Sequence, residues 1–256
     1  MDGRQEMQMR VLLAENDMRD QPERPEPSSV LWRYMNFEKY VAMLAVGGVY
    51  FSLPSELGDE YEGSLPCMTV KRFTERLQGQ ADQVAENEAR FQQTFTKNAW
   101  VVSCWHAMLQ ESDAMWRLYA GSGAGIAIKT DFGSLLTAVL GIDIHSDTYQ
   151  AGRVEYVDYD KCDIPILYGM PLFYKRKSFI HEEEVRIIRL KEDSESSTGE
   201  TFEADLQMLI HEVVVSPNAE DWMYDVIKRT TRLYNEPLAE RVRRSEISKP
   251  TYLEDL

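Results

Sequence analysis

The residues with the clearest potential for chemistry lie in the stretch FYKRKSFIHEEEVRIIRL, residues 173–190. Basic side chains, among them Lys175 and Lys177, precede a triplet of carboxylates that includes Glu182 and Glu184. The triplet leads into an apolar run, and a carboxylate at the mouth of a buried strand is costly unless something needs it there. Basic side chains beside it can hold an anion. The stretch therefore predicts a functional site, although the pattern alone names no reaction.

The apolar run after the triplet predicts a strand that begins among the glutamates. On an extended strand, side chains two residues apart share a face, so Glu182 and Glu184 are expected to point to one side and Glu183 to the other. Two carboxylates held that close raise each other's proton affinity, which is a common mark of a working site. His181 directly precedes the triplet and is a candidate general base. The alternative is a structural role for Glu184 in an ion pair.

Composition limits the partners of this chain. The 256 residues carry a formal net charge of -15, which argues against broad, unspecific binding to nucleic acid or to an anionic membrane. A local basic pocket for a nucleotide phosphate is still compatible with that charge.

The three cysteines are widely spaced and form no CxxC pair, so we expect reduced thiols and no metal site. No apolar run reaches the ~20 residues of a membrane span, and the polar N-terminus lacks a signal-peptide pattern; we expect a cytoplasmic protein.

The order of elements predicts an α+β fold: one domain over residues 30–245 with a mainly antiparallel, mixed sheet flanked by helices. Residues 1–29 are rich in proline and charge and are expected to form a tail or linker. A helical excursion is predicted over residues 67–98, and residues 246–256 are expected to form a C-terminal tail.

These are the elements that must position the candidate residues. The predicted strands cover residues 30–35, 49–53, 100–106, 126–130, 152–159, 185–190, 201–206, 208–217 and 238–243. The predicted helices cover residues 37–46, 67–98, 111–120, 132–140 and 219–235, with Asn36, Ser112, Asp131 and Asn218 as N-caps.

The sequence resembles a bacterial family, the domain-of-unknown-function family 2971. The matching segments are LWRYMNFEKYVAML, GGVYFSLPSELGDEYEGS, SCWHAMLQESDAMWRLYAGSGAGIAI, GRVEYVDYD and KRKSFIHEEEVRII, which cover most of residues 30–190. This resemblance implies no established activity. A setting in phage defence or toxin systems fits the family.

A second resemblance is to the ADP-ribosyltransferase fold, which places an Arg or His on the first strand, an aromatic residue or Ser on the second, and a Glu on a later strand. In this chain the order is Arg33 in LWRYM, then Tyr50, Phe51 and Ser52 in GGVYFS, then Glu182 and Glu184 in HEEEV. A helix directly after the first strand also looks like that fold. The resemblance implies NAD as the substrate, that is, a small nucleotide as the partner.

The resemblance also implies roles for these residues. An Arg holds phosphate or ribose in a fixed fork geometry, so Arg33 is expected to bind NAD together with part of the basic cluster formed by Lys175, Arg176 and Lys177. A stacked aromatic ring, from Tyr50 or Phe51, would hold the nicotinamide. These two residues alternate on a strand, so one of them is expected in the core.

Cleavage of the nicotinamide bond leaves an oxocarbenium-like sugar, which a carboxylate stabilises. Glu184 is the candidate for that role, and Glu182 is expected to orient the acceptor. The acceptor itself, whether protein, nucleic acid or water, is not indicated by any motif.

Two other functions are open at this point. A magnesium-dependent nuclease would gather Asp59, Glu62, Asp158, Asp160, Glu182 and Glu184 around the metal. A non-enzymatic sensor would use the basic and acidic clusters to bind a nucleotide or a protein. Magnesium dependence separates the nuclease from the others, and release of nicotinamide separates the transferase from the sensor.

Overall fold

The centre of the fold is the run WVVSCWH, in which nearly every side chain is buried. The structure, a computed structural model, describes residues 21–76, 82–121, 124–141, 149–166, 169–193 and 197–247. Its strands are β1 (Val30–Asn36), β2 (Gly48–Phe51), β3 (Trp100–His106), β4 (Gly125–Asp131), β5 (Tyr149–Arg153), β6 (Glu155–Val157), β7 (Tyr174–Arg176), β8 (Glu184–Leu190), β9 (Glu200–Glu203), β10 (Glu212–Val215) and β11 (Val242–Arg244).

In the described part of the chain, seven strands form the main sheet in the order β11-β10-β4-β1-β3-β8-β5. Neighbours pair antiparallel, except β10 and β11, which are parallel. Two smaller pairs accompany it, β2 with β9 and β6 with β7. This confirms the predicted α+β class with a mainly antiparallel, mixed sheet.

The described part of the chain has eight α-helices, three of which begin at a predicted cap. They are α1 (Phe37–Val46), α2 (Cys67–Arg76), α3 (Asp82–Ala99), α4 (Asp113–Tyr119), α5 (Phe132–Leu140), α6 (Leu206–Leu209), α7 (Asp221–Tyr234) and α8 (Glu236–Ala239). Asn36, Ser112 and Asp131 each accept a backbone N–H three residues further on, as predicted. Gly47 ends α1 at φ 70°, a conformation that glycine adopts without steric cost.

The main sheet is buried on both faces, and the period of two along each strand divides its side chains between two cores. Val101, Trp105 and Ile187 belong to the larger core. Val102 and Ile188 point the other way and belong to a second cluster. Polar side chains at the ends of β3 and β8 are therefore fixed by the packing of their apolar neighbours.

A break in strand pairing creates the space for a site. β1 and β3 pair at one position, Trp32 with His106, whereas β3 pairs with β8, and β1 with β4, over seven residues each. Ser52, just after β2, forms a bridge with Val102 on β3. β1, β2 and β3 therefore meet at one edge where a cavity takes the place of continuous pairing.

The glutamate triplet is not extended, which corrects the prediction for Glu182 and Glu184. A 3-10 helix, Lys177–Glu182, precedes the strand, and Glu183 is left-handed with φ 40°. A non-glycine residue in this conformation is uncommon, and such residues cluster at functional sites. The reversal at Glu183 still brings both carboxylates to one partner, Lys175.

The predicted strand 152–159 is in fact two strands with different partners. β5 pairs with β8, whereas β6 pairs with β7. Between them, the N–H of Val154 donates to the carbonyl of Glu184. An alternating pattern carries no information about a change of partner, so the sequence shows one strand where the fold has two.

Predictions near the C-terminal end need correction as well. α7 begins after Glu220, and the predicted cap Asn218 instead donates its N–H to Ser216 Oγ. The strand predicted at 238–243 is replaced by α8, which Asn235 caps, and by the short β11. The region 201–217 holds β9, α6 and β10 rather than two long strands. At α6 and α8 a capping side chain, Asp205 and Asn235 respectively, accepts backbone N–H groups that a strand would use.

Residues 21–29, the described end of the predicted tail, lie against the sheet. The N–H of Arg153 donates to the carbonyl of Glu23 over 2.7 Å. The domain limits 30–245 stay a prediction, since the chain before residue 21 and after residue 247 lies outside the described residues. Among the helices described, none combines the length and the hydrophobicity that crossing a membrane requires.

The substitution Asn36→Ala is expected to lower the free energy of unfolding by about 1 kcal/mol, because the N–H of Lys39 loses its acceptor at 3.0 Å. Urea denaturation followed by circular dichroism measures the change. Asn36→Ser is the control, since it keeps a capping oxygen and should unfold close to the wild type. An alanine variant as stable as the serine variant would contradict the capping role.

Candidate functional site

A cavity of about 410 Å³ opens beside the break between β1 and β3. Much of its wall is apolar or aromatic, with contributions from Trp32, Tyr34, Met43, Trp105 and Met115. Such a wall excludes water from a bound ligand and strengthens electrostatic interactions inside the cavity.

Arg186, on β8, is the centre of an acidic wall. Its side chain has 0% exposure, and its five N–H groups all donate. They reach both oxygens of Glu62, both oxygens of Glu184 and the carbonyl of Leu172, at 2.6 to 3.1 Å. A guanidinium has five donors in total, so Arg186 has none left for a ligand and serves to hold the two carboxylates.

Lys175, on β7, is buried next to Arg186. Its ammonium contacts Glu184 at 2.6 Å, Glu62 at 3.4 Å and also Glu182. Burial opposes the charge, but the negative Glu184 and Glu62 outweigh it and raise the pKa of Lys175. We call Glu62, Lys175, Glu182, Glu184 and Arg186 the ion cluster.

Three carboxylates face two cations in the ion cluster, so it carries one uncompensated negative charge when every group is ionised. Burial opposes ionisation of Glu184, but the charge and hydrogen bonds of Arg186 hold the pKa of Glu184 well below 4.5. Burial and the neighbouring Glu184 raise the pKa of Glu182. Two adjacent carboxylates with diverging pKa values are typical of sites that perform acid–base or charge-stabilising chemistry.

Hydrogen bonds from three rings fix the two cavity-facing glutamates. The hydroxyl of Tyr119 donates to Glu182 Oε1 at 2.5 Å, and burial raises the pKa of Tyr119, which keeps that hydroxyl protonated. The hydroxyl of Tyr156 accepts the N–H of Glu184 at 2.9 Å. His106 Nδ1 lies 2.7 Å from the backbone carbonyl of Glu182. Glu182 and Glu184 are thus held rigidly at the cavity.

Arg33, on β1, forms a second wall and carries the opposite charge. Its guanidinium donates to Ser103 Oγ at 3.1 Å and to the carbonyl of Tyr50 at 2.7 Å, and lies 5.5 Å from the centre of the Trp105 ring. Within the described residues no carboxylate pairs with it. Burial lowers the pKa of Arg33 to about 10, so it remains a cation at neutral pH and can receive an anionic ligand.

Lys39 adds a second cation that the sequence analysis did not select. It lies in the first turn of α1, is exposed, and lines the cavity. No ion pair to Lys39 is present in the part of the chain that the structure describes. The sequence contained the information needed to select Lys39, because a helix that begins directly after β1 must place its first turn beside the strand that carries Arg33.

Six of the nine residues predicted from the sequence line the cavity. They are Arg33, Tyr50, Ser52, Lys175, Glu182 and Glu184. Phe51 does not, because it points to the opposite side of β2 and packs against Phe202 with ring centroids 5.0 Å apart. Lys177 and His181 are exposed on the 3-10 helix before Glu183.

The predicted basic cluster is not a free anion site, and this corrects the expectation for Lys175 and Lys177. Lys175 is bound within the ion cluster, and Arg176 pairs with Asp59 at 2.6 Å. Lys177 is exposed and does not line the cavity. Among the described residues that line the cavity, the cations that remain open to a ligand are Arg33 and Lys39, on other elements.

Of the six carboxylates proposed for a nuclease, Glu62, Glu182 and Glu184 come together, but they surround the ammonium of Lys175. Asp158 pairs with Lys161 at the surface, at 3.2 Å, and Asp59 pairs with Arg176. Glu62 and Glu184 already surround a guanidinium. Across the described ranges of the chain, no group of three or more His, Cys, Asp and Glu side chains has the arrangement of a metal site.

No family model and no curated protein matches the sequence, so the resemblance to family 2971 is not confirmed. Among solved structures, the fold is remotely similar to Thermus sp. 2.9 DarT in complex with ADP-ribosylated ssDNA. That similarity covers 88% of this chain and 96% of the other, at 8% sequence identity and a TM-score of 0.39. A likeness this remote carries no functional information, and the function must follow from the cavity.

Arg186→Met is expected to lower the free energy of unfolding by about 3 to 5 kcal/mol, because it leaves buried carboxylates without their partner. The control is Arg232→Met, whose ion pair with Glu240 is exposed at both ends, at 47% and 67%; it should cost less than about 1 kcal/mol. Urea denaturation of both variants gives the comparison. Equal costs for the two would show that the ion cluster does not stabilise the fold.

Proposed function

We propose that the cavity binds NAD and breaks the bond between nicotinamide and ribose, which makes the protein an ADP-ribosyltransferase or an NAD glycohydrolase. One observation carries this proposal: the two walls of the cavity have opposite charge. The ion cluster has an uncompensated negative charge at Glu182 and Glu184, and Arg33 and Lys39 are cations without acidic partners among the described residues.

NAD has the charges that these walls require. Its nicotinamide ring is cationic, and two phosphates lie beyond the ribose. A ligand with only phosphate would be repelled by the ion cluster, and a simple cation would be repelled by Arg33. The cavity, at about 410 Å³, lies within the roughly 300 to 1,000 Å³ of ordinary small-molecule sites. Trp32 and Trp105 offer flat apolar surfaces for a ring.

On the basic side, Arg33 holds phosphate or ribose with the donors it does not spend on Ser103 and Tyr50. Lys39 binds the phosphates, the role that the sequence predicted for Lys175 and Lys177. Tyr50 is 41% exposed at the cavity, so its ring can stack on the nicotinamide. The hydroxyl of Ser52, also in the wall, is a further donor or acceptor for the ribose.

On the acidic side, Glu184 stabilises the positive charge that develops on the ribose as nicotinamide leaves. Its pKa lies well below 4.5, so it is ionised throughout the physiological range. Glu182 orients the acceptor hydroxyl. Both groups are preorganised in a site that excludes water, where a fixed charge is worth most to the transition state.

The acceptor is protein, nucleic acid or water in this proposal, and the setting is the cytoplasm, in phage defence or toxin systems. A sensor would bind NAD in the same cavity without cleaving it. Release of nicotinamide therefore separates the enzyme from the sensor.

Arg33→Met is expected to weaken NAD binding by roughly 10- to 100-fold, since a hydrogen bond to a charged group contributes about 1.5 to 3 kcal/mol. The methionine keeps an apolar stem over Trp105. Arg33→Lys is the control, because it retains the positive charge and should lose less affinity. Calorimetry with NAD measures both, and unchanged affinity in the methionine variant would rule out the role of Arg33.

Glu184→Gln is expected to lower the rate of nicotinamide release by roughly 100-fold or more, the scale of losing one electrostatic stabiliser. The variant also loses ion pairs to Arg186 and Lys175, so some loss of stability is expected. Glu62→Gln is the matched control: it loses the same kind of pairing with Arg186, but Glu62 does not line the cavity.

Nicotinamide release from NAD, with candidate acceptors supplied, and melting temperature are measured for both variants. The expected pattern is similar destabilisation, with a rate reduction below tenfold for Glu62→Gln. Similar rate losses in the two variants would make the effect structural. Full turnover by Glu184→Gln would remove Glu184 from the mechanism.

A further inference from the structure

His106 ends β3 in the wall of the cavity and is 3% exposed. Its Nδ1 lies 2.7 Å from the backbone carbonyl of Glu182. A carbonyl oxygen only accepts hydrogen bonds, so Nδ1 carries the proton and donates it to this contact. In the neutral ring, Nε2 is then the atom with the free lone pair.

Nε2 of His106 has no hydrogen-bond partner in the part of the chain that the structure describes. Buried polar atoms are almost always paired, and an exception at a functional site calls for an explanation. Because His106 belongs to the cavity wall, a ligand in the cavity is the natural source of the missing donor. A hydroxyl group is such a donor, and an imidazole can take its proton as well.

The other basic group nearby is already engaged. Glu182 accepts the hydroxyl of Tyr119 on Oε1 and the ammonium of Lys175 on Oε2. A carboxylate with a donor on each oxygen is a weaker proton acceptor than an unpaired nitrogen, although burial raises its pKa. The imidazole of His106 donates to the backbone carbonyl of Glu182, so the imidazole and the carboxylate keep a fixed distance from each other at the cavity.

We propose that His106 is the general base of the reaction: Nε2 takes the proton from the hydroxyl, of water or of an alcohol acceptor, that attacks the ribose. This step rests on the proposed cleavage of NAD. The bond from C1′ to nicotinamide breaks, and its electron pair leaves with the neutral ring. A lone pair of the hydroxyl oxygen forms the new C1′–O bond, the proton passes to Nε2, and the imidazolium releases it to solvent.

The surroundings of His106 keep it neutral at the working pH. The titratable groups that face it are Tyr34 on β1, Glu184 on β8, and His181, Glu182 and Glu183 in the turn before β8. Burial lowers the pKa of His106 below 6.5, and the contact with Glu182 and the charge of Glu183 offset this only in part. The base is therefore available at pH 7 and above, and it is lost as the pH falls through a value below 6.5.

Two variants test this role. In His106→Asn, the amide nitrogen can keep the hydrogen bond to the Glu182 carbonyl, while the distal base is gone. In His106→Gln, an amide oxygen reaches the distal position and accepts a hydrogen bond but takes no proton. Nicotinamide release from NAD is measured from pH 5 to 9, in water and with methanol as a hydroxyl probe, together with NAD affinity by calorimetry.

The expected result is a wild-type rate that is flat above pH 7 and falls at lower pH. Both variants should lose roughly 100-fold or more at pH 7.5, with NAD affinity within about threefold of the wild type, and should lack the acid limb. A wild-type limb that persists in His106→Asn overturns the proposal, and so does full activity in His106→Gln, which would make Nε2 an acceptor only. A wild type that never cleaves NAD removes the proposed function and the base with it.

Discussion

The structure depends on a single buried guanidinium. Arg186 donates to Glu62, Glu184 and the Leu172 carbonyl, and so joins three separate parts of the chain in one contact set. Removing either acid would leave a buried cation underpaired, and removing the arginine would leave two buried carboxylates, each of which is costly. The ion cluster is tolerated because every N–H of Arg186 has an acceptor. The uncompensated negative charge of the ion cluster then lies in the wall of the cavity.

The break in pairing between β1 and β3 opens the cavity in which that charge can act on a ligand. A continuous ladder would have filled the space with paired backbone, as it does between β3 and β8. Instead the strands meet at one residue pair, and Arg33 reaches across to Ser103 and to the β2 backbone. The cavity therefore has a cation on one wall and a carboxylate pair on the other. This separation of charge suits a ligand that is itself charged at both ends.

Local patterns predicted the elements well wherever one residue controls the backbone. Asn36, Ser112 and Asp131 cap their helices as expected, because a capping oxygen competes with nothing else nearby. The same reasoning failed at Asn218, whose own N–H donates to Ser216 Oγ, and the helix begins only after Glu220. The sequence also predicted Arg33, Tyr50 and Glu184 as site residues in this order. The fold brings them together because strand order and alternation place these side chains on the same edge.

The sequence by itself determined the α+β class, the strands that carry Arg33, Tyr50 and Glu184, and the presence of carboxylates beside basic groups. Only the tertiary structure decided which charges are free. Glu62 meets Arg186 from 124 positions away and also contacts Lys175, one of the cations that the sequence analysis assigned to a phosphate. Spacing in the sequence determines the position of a side chain on its helix or strand. The ion pairs that the side chain forms depend on which distant segment of the chain packs opposite it. For the same reason the contact of His106 with Glu182 emerged only when the chain was folded.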